Sequence, residues 1–322
     1  MANYQYAADI LDDVLFRAGE ATDGTSEFHT AALRYINRAY QAVWQGGSEL
    51  DPSIREDWLW LRSTATLTLN PKITTGTVSV TNNSTAVTFS SAPSSSVADY
   101  FFQVTNQPDV FRISTHTAAS TSATLDSVYT SDTASAASYT LFPLVYDLPA
   151  DFWQFAEPLW IRSKGVGFPW HPGHLDVIEP RRLKEYWPID RMVMGVPTVA
   201  SLVASRKVQF NKYPEKLCRV EVEYLAVPVD LTDSTSQEPV VPATYRRVIA
   251  DAALFFLLMD KNDNRADGAG LIARNGLQGM ARENRGKRAA MSDLAGTITA
   301  RLDRVTGSPV APHRTRFVVE TG

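Results

Sequence analysis

The chain is short of cysteine and of long apolar runs. Cys218 is its one cysteine, so no intramolecular disulfide can form, and a lone thiol cannot hold a structural zinc ion. The longest apolar run, 252–259, is far below the roughly 18 consecutive apolar residues of a membrane span. The N-terminus has neither the basic flank nor the apolar stretch of an export signal. We therefore expect a soluble chain without a membrane span, stabilised by packing.

Net positive charge is missing as well. The 322 residues include 31 basic and 35 acidic side chains, and the net charge of −4 gives no electrostatic reason to expect a nucleic-acid-binding protein. Hydrophobic residues make up 44% of the chain and charged residues 20%, a balance typical of globular proteins. At roughly 100 to 200 residues per domain, this length predicts about two structural units.

The basic residues are concentrated near the C-terminus. Residues 274–316 contain nine basic and three acidic side chains, a local net charge of +6 that leaves the rest of the chain at −10. This distribution indicates a basic arm on an acidic body. Three interpretations of the arm stay open: a solvated helix face, a contact with an acidic protein surface, or a place where phosphates pass.

Helical spacing of apolar residues predicts two helices near the N-terminus. Apolar residues recur every three or four positions over 7–18, and Gly19 follows where a helix can end in the left-handed conformation. The same spacing covers 28–43. We expect these helices to form an antiparallel pair, followed by a weaker third helix over 52–58.

From residue 64 the apolar period changes to two, which predicts β-strands. About seven short runs are separated by Asn, Gly, Ser or Pro, at 65–69, 78–80, 87–89, 100–104, 110–113, 123–129 and 138–144. Short strands at close spacing are typical of a small antiparallel barrel or sandwich. This segment is rich in Ser and Thr and poor in charge, so it resembles a virion-exposed or secreted module more than an enzyme core.

A second β-rich region and two C-terminal helices follow. A short helix is expected at Pro180, and alternating runs predict antiparallel strands at 199–203, 208–210 and 220–224. Residues 245–259 are apolar on all sides, as in a buried helix.

A last long helix is expected from about Ala266, and it contains an unusual number of glycines. Each glycine costs roughly 1 kcal/mol relative to alanine in a helix interior, so the helix either packs very closely or bends. The glycines are Gly268, Gly270, Gly276 and Gly279.

Together these patterns predict an α+β fold. It consists of a helical-bundle core, an inserted small antiparallel β-barrel or sandwich, and a second antiparallel β-rich layer. The expected division is 1–62 for the N-terminal core helices, 63–146 for the inserted β domain, 147–239 for a Pro- and Trp-rich β region, 240–290 for the C-terminal core helices and 291–322 for an extended arm.

Catalytic and cofactor motifs are absent from the sequence. There is no Gly-x-Ser-x-Gly elbow and no Walker A motif, and Gly165-Val166-Gly167 lacks the third glycine of a dinucleotide-binding turn. His171, His174 and Asp176 are a possible metal set, but an intervening Pro-Gly breaks helical spacing, so ordinary loop residues are the favoured interpretation. Cys218 lies in an alternating strand and is predicted to be a small packed or half-exposed hydrophobe instead of a nucleophile. We expect no enzyme, cofactor or metal.

The order of these segments resembles that of a known family. The segments that carry the resemblance are 32–40 in the second helix, 75–80, 100–104, 110–113 and 137–142 in the insert, 146–152 at its exit, and 220–224 before the last helices. In this order they resemble the head-to-tail adaptor proteins of tailed bacteriophages, which form a ring below the portal. Each motif is short, so the specificity lies in the order.

The resemblance implies a structural protein of the virion, located at the head–tail junction and assembled in the cytoplasm of the bacterial host. Its implied partners are about twelve copies of itself in a ring, the portal protein, and a tail nozzle or tail tube protein. Genomic double-stranded DNA would pass through the ring without sequence-specific binding, and no membrane is involved. The alternative is a tail-associated receptor- or glycan-binding module, with the Ser/Thr-rich insert as its binding face.

Basic residues of the C-terminal segment are the candidates for portal or ring contacts. They are Arg282, Arg285, Lys287, Arg288, Arg301, Arg304, Arg314 and Arg316. Arg282, Arg285 and Arg288 recur at intervals of three and so follow a slowly drifting stripe on a helix. We favour docking on an acidic portal surface over lining of the channel, because DNA must slide past a channel wall.

Overall fold

The computed structural model describes residues 4–22, 27–161, 173–189 and 194–306, with side chains described throughout except at Glu27 and at 291–306. The chain divides into two compact units: unit 1 joins residues 1–60 to 229–322, and unit 2 comprises residues 61–228. The predicted α+β class is confirmed, because the fold combines helices with two predominantly antiparallel sheets. The finer five-part division stays a prediction.

Unit 1 is helical. Its helices are α1 (Ala7–Ala18), α2 (Glu27–Trp44), α4 (Arg246–Asp260) and α5 (Ala266–Thr306); α3 (Pro180–Tyr186) lies in unit 2. As predicted, α1 ends at Gly19, whose φ of +81° is left-handed, and whose N–H bonds to the last turn of the helix. Helix α5 continues past residue 291, where the extended arm was expected to begin.

The helix expected over 52–58 is wrong. The carboxylate of Asp51 accepts hydrogen bonds from the backbone N–H (2.9 Å) and the hydroxyl (2.7 Å) of Ser53, and this closes a turn instead of a helix. A single 3-10 turn, Leu59–Leu61, is the only helical structure in the described chain between α2 and the first strand.

Helix α4 forms the centre of unit 1 and packs against α1, α2 and α5. The predicted burial of this helix is confirmed for most of its length, since Val248, Ile249, Leu254 and Leu257 are all buried, whereas Phe255 is only half-buried. A central helix needs apolar side chains on nearly all sides, which explains its all-round hydrophobicity.

Unit 2 contains a seven-stranded sheet of consecutive short strands. These are β2 (Val78–Val80), β3 (Ala86–Phe89), β4 (Phe101–Val104), β5 (Phe111–His116), β6 (Ser122–Leu125), β7 (Ala134–Ala137) and β8 (Tyr139–Phe142), in the order β7-β2-β3-β6-β5-β4-β8. The edge strands β7 and β8 are separated in sequence by one residue, so the two edges lie close together. The sheet therefore curls into a barrel-like shape around an apolar core, as predicted.

An eight-stranded sheet forms the second β layer. Its strands are β1 (Arg62–Leu69), β9 (Val145–Asp147), β10 (Phe152–Phe155), β11 (Leu159–Ile161), β12 (His174–Val177), β13 (Val199–Ala204), β14 (Lys207–Phe210) and β15 (Cys218–Ala226). They follow the order β1-β15-β11-β12-β13-β14-β9, with β10 also pairing with β15. All pairs are antiparallel except β12 with β13.

Strand β1 pairs with β15 in a register that runs from Arg62 opposite Leu225 to Leu69 opposite Cys218. The run predicted at 65–69 is therefore a strand, but it lies in the eight-stranded sheet. Its place among the seven strands of the other sheet is taken by β7, which the alternation did not predict. Cys218 is buried in the core of the eight-stranded sheet, so of the two predicted environments it has the packed one.

Candidate interface on the long helix α5

The inner face of α5 packs closely on α4 at two glycines. A Cβ atom placed on Gly270 would lie 2.9 Å from the ring of Phe255, and one placed on Gly276 would lie 2.8 Å from a methyl group of Val248. Neither position has room for a side chain. Of the two explanations for a glycine-rich helix, close packing therefore accounts for Gly270 and Gly276.

The opposite face of α5 is exposed, and we call it the outer face. It comprises Gly268, Leu271, Ile272, Asn275, Gly279, Arg282 and Gly286. A Cβ placed on any of its three glycines would meet nothing within 4 Å in the described part of the chain. Leu271 is 60% exposed and Ile272 is 47% exposed. Packing within the described chain does not account for these glycines or for the two apolar side chains.

Asn284 fixes α5 to the segment that precedes the first strand. Its buried amide donates to a carboxylate oxygen of Glu56 (3.0 Å) and to the carbonyl of Asp57 (3.1 Å), and its carbonyl accepts the N–H of Leu59 (3.1 Å). Three hydrogen bonds from one buried side chain determine the position of this segment against the helix.

Two arginines of α5 have partners within unit 1: the predicted contact residue Arg285 and the neighbouring Arg274. Arg285 forms an ion pair with Glu56, whose side chain is almost completely buried. Arg274 donates to the carbonyl of Leu50 (3.1 Å). The predicted stripe of Arg282, Arg285 and Arg288 is therefore interrupted in the middle. Arg285 binds Glu56 within unit 1, and Arg282 and Arg288 precede and follow it along the helix.

Lys287 is also paired. Its ammonium lies 2.5 Å from the carboxylate of Glu283, which accepts a further hydrogen bond from the hydroxyl of Tyr245. The Lys287 contact lowers the pKa of Glu283, and the bond to Glu283 raises the pKa of Tyr245 to about 12. The positive charge of Lys287 is balanced by the negative charge of Glu283. This exposed pair therefore adds little to a basic surface.

The structure describes the remaining candidate contact residues to different extents. Arg282 and Arg288 are exposed, and neither has an ion-pair partner among the described side chains. Arg301 and Arg304 lie on α5, and Arg314 and Arg316 lie outside the described residues. Residues 285–290 are exposed on every side of the helix, so α5 leaves the packed part of unit 1 after Asn284.

The sequence analysis did not predict an aromatic cleft that lies beside α5. It has a volume of about 90 Å³ and walls that include Trp58, Trp60, Tyr245 and Met280. The indole N–H of Trp58 donates to the carbonyl of Val43 (2.6 Å), whereas that of Trp60 is buried without a hydrogen-bond partner among the described residues. Two tryptophans two residues apart were the signal that could have indicated this cleft.

The described residues contain no group of three or more His, Cys, Asp or Glu side chains that could hold a metal ion. His174 lies in β12 with its ring 5.8 Å from that of Trp160, and His171 lies outside the described residues, as does the Gly165-Val166-Gly167 motif. Over the same described residues, no helix has the length and apolar character that crossing a membrane requires.

Comparison with known proteins defines the class of this molecule. The sequence model of the SU10 adaptor protein family matches residues 5–311, which is nearly the whole chain. The chain therefore belongs to the SU10 adaptor protein family. It is a structural adaptor of a bacteriophage, a component of the virion that interacts with other phage proteins. A search of curated proteins finds no match.

Proposed function

We propose that this adaptor joins the phage head to the tail. About twelve copies form a ring that docks on the portal, contacts a tail nozzle or tail tube protein on its other side, and continues the channel through which genomic double-stranded DNA passes. The observation that carries this proposal is the family match over residues 5–311. The chain acts by assembly and needs no cofactor, because its contacts with copies and partners supply the function.

The exposed end of α5 supports a contact with the portal. Residues 285–290 are exposed on all sides, and Arg288 has no ion-pair partner among the described side chains. Beyond it, Arg301 and Arg304 continue along the same helix, and Arg314 and Arg316 follow it in sequence. An unpaired guanidinium that packs against a carboxylate gains bidentate hydrogen bonds, so an acidic portal surface is the partner that this end of the chain fits.

Arg285 has a different role in this proposal. Because it is paired with the buried carboxylate of Glu56, its removal would leave that charge with Asn284 as its remaining hydrogen-bonding side chain. Arg285 therefore holds the shape of unit 1, and portal docking depends on Arg288 and the arginines that follow it.

Particle images of the purified protein, alone and mixed with portal, test the ring. We expect rings with an open lumen on the portal, and the absence of rings under both conditions would contradict the proposal. Docking is tested by retention of the triple variant Arg288→Ala, Arg301→Ala, Arg304→Ala on portal-bearing capsids over a range of salt concentrations. We expect retention at least tenfold weaker than wild type near physiological salt.

The matched control is Arg181→Ala with Arg182→Ala, which removes two exposed arginines from α3 in unit 2. This variant should be retained like wild type. If the α5 triple variant is also retained like wild type at every ionic strength, docking through these arginines is wrong, although the ring itself would still stand.

A further inference from the structure

The outer face of α5 combines apolar surface with an unpaired cation. Leu271 and Arg282 are separated by eleven residues, so at 100° per residue they lie within about 20° of one another around the helix. Gly268 and Gly279 lie about 60° and 80° around the helix from Leu271 and leave the backbone open at the edge of this face. Single exposed apolar residues are common, but an apolar patch beside open glycines and an unpaired arginine has the character of a contact surface.

The outer face of α1 has the opposite charge. Asp12 and Phe16 are four residues apart and exposed on one side of the helix, and Phe16 is 76% exposed, more than any other large apolar residue among the described side chains of α1 and α5. Asp9 lies close to the same line, one turn earlier. Partial burial and the negative charges of Asp233 and Asp9 raise the pKa of Asp12, and His29, which is paired with Asp233, offsets part of this rise. Asp12 itself has no ion-pair partner among the described side chains. A cation supplied from outside would stabilise this face.

The two faces can be laid against each other when the helices run antiparallel. Phe16 and Asp9 are about 10 Å apart along α1, and Leu271 and Arg282 are about 16 Å apart along α5, at 1.5 Å rise per residue. With Phe16 placed against Leu271, Arg282 lies about 6 Å beyond Asp9 and about 10 Å beyond Asp12 along the axis, so its flexible side chain turns back towards this acidic turn. Gly279 then lies level with the acidic turn, about 80° around α5 from Leu271, and leaves room at the edge of the contact.

Both faces belong to unit 1, on helices that pack against α4, and Asp12, Phe16, Leu271 and Arg282 stay exposed in the described chain. Each copy therefore carries one acidic and one basic half of the same contact. A contact between two different patches is heterologous, and repetition of a heterologous contact closes a ring when its rotation allows. A second copy of this chain thus fits each face better than an unrelated partner would.

We propose that the Asp12 and Phe16 face of α1 in one copy binds the Leu271 and Arg282 face of α5 in the next copy, and that this contact forms the ring. The inference rests on the proposed function, because it assigns the surfaces through which the ring closes. It predicts a head-to-tail contact with one apolar anchor pair, Phe16 with Leu271, and one ionic group, Arg282 with Asp9 and Asp12.

Disulfide cross-linking of assembled rings tests the contact. The chain's own Cys218 is buried, so introduced cysteines supply the reactive thiols. The variant with Phe16→Cys and Leu271→Cys together should form, on oxidation of portal-bound rings, a ladder of covalent multimers up to the full ring. Phe16→Cys or Leu271→Cys alone should give no ladder, and rings assembled from an equal mixture of the two should give covalent dimers and nothing larger.

The control pairs Phe16→Cys with Leu217→Cys, since Leu217 is exposed in unit 2 and has no place in the proposed contact. This control should give no ladder. Rings that form without a ladder in the Phe16→Cys, Leu271→Cys variant would overturn the inference and leave the proposed function intact. If wild-type protein forms no ring on the portal, the proposed function fails first, and the two failures are therefore distinguishable.

Charge reversal gives a second, independent measurement. Arg282→Glu should reduce the yield of rings at least tenfold, and adding Asp12→Arg in the same chain should restore most of it, because each contact then has its charges exchanged. Both residues are exposed, so the melting temperature should stay within a few degrees of wild type. A double variant that assembles no better than Arg282→Glu would contradict the pairing of these two charges.

Discussion

The inner and outer faces of α5 share one backbone but have opposite surroundings. On the inner face, Leu277 and Asn284 are buried, and Gly276 touches α4 closely. On the outer face, Leu271 and Gly279 contact little or nothing of the described chain. The same residue types, leucine and glycine, therefore occur on both sides of the helix in different environments.

This difference teaches how the helix divides its tasks. The inner side chains contribute to the folding of unit 1, because their contacts are made within the chain. The outer side chains contribute little to folding, and in our proposal they act only when copies assemble. Matched substitutions on the two faces can separate these contributions, since each pair changes the same residue type in the same helix.

The largest difference is expected for leucine. Leu277→Ala should lower the free energy of unfolding by about 2 to 5 kcal/mol, because Leu277 is fully buried and its methyl groups pack against Gly47. Leu271→Ala should change it by less than about 0.5 kcal/mol, because that side chain is mostly exposed. Urea denaturation of the unassembled protein measures both. Equal losses in the two variants would show that α5 has no distinct inner face.

The next largest difference in stability between the two faces is expected for asparagine. Asn284→Ala should cost about 1 to 3 kcal/mol, since it leaves the N–H of Leu59 and the carbonyl of Asp57 without their described side-chain partner. Asn275→Ala is the control on the exposed face and should be nearly neutral or slightly stabilising, because alanine favours a helix. Hydrogen exchange should also show faster exchange of the Leu59 N–H in Asn284→Ala. An unchanged exchange rate there would contradict the described hydrogen bond.

Replacement of glycine by alanine should change the stability in opposite directions on the two faces. Gly276→Ala should destabilise by about 1 kcal/mol or more, because its Cβ would meet Val248 at 2.8 Å and overpacking outweighs the gain in helix propensity. Gly279→Ala should stabilise the unassembled chain by about 0.5 to 1 kcal/mol, because nothing in the described chain lies near its Cβ. The melting temperatures should therefore move in opposite directions, and a shift of the same sign in both would remove the distinction between the two glycines.

Periodicity predicted most of the helices and strands because a buried face repeats along each element. It placed α1, α2 and α4, and the strands at 78–80 and 199–204. It missed β7 because Ala134–Ala137 consists of Ala and Ser, whose small side chains give little contrast between an apolar and a polar face. It predicted a helix over 52–58 because the local pattern does not include the competing bonds of the Asp51 carboxylate.

The candidate interface was only partly predictable for a different reason. Helical spacing of Arg282, Arg285 and Arg288 indicates which residues share a side of α5, but it does not reveal which neighbour lies there. Arg285 is paired because Glu56, more than 200 positions earlier, is brought beside it by the fold. The acidic face of α1 has no motif of its own, and only its exposure together with the charge of α5 shows a possible role.

The smallest expected effect is a change in the pKa of Asp51, to which the half-buried Gln278 of α5 donates a hydrogen bond. Hydrogen bonds from Gln278 (3.0 Å) and Ser53 lower its pKa from 3.8 to about 2. Because the folded pKa is depressed, the carboxylate's contribution to stability is present above pH 4 and is lost as the pH falls from about 4 to 2. Asp51 is only half-buried, so the effect on stability is small, and the titration itself is the better measurement.

Carboxyl NMR titration should give a pKa of about 2 for Asp51 in the wild type. In Gln278→Ala the pKa should rise towards 3.8 without reaching it, because both Ser53 donors remain. Arg274→Ala should raise it less, since the charge of Arg274 is the weakest of the contributing causes, and Asn275→Ala on the outer face should leave it unchanged. A wild-type Asp51 that titrates near 4 would show that the turn at 51–54 does not dock on α5 through Gln278.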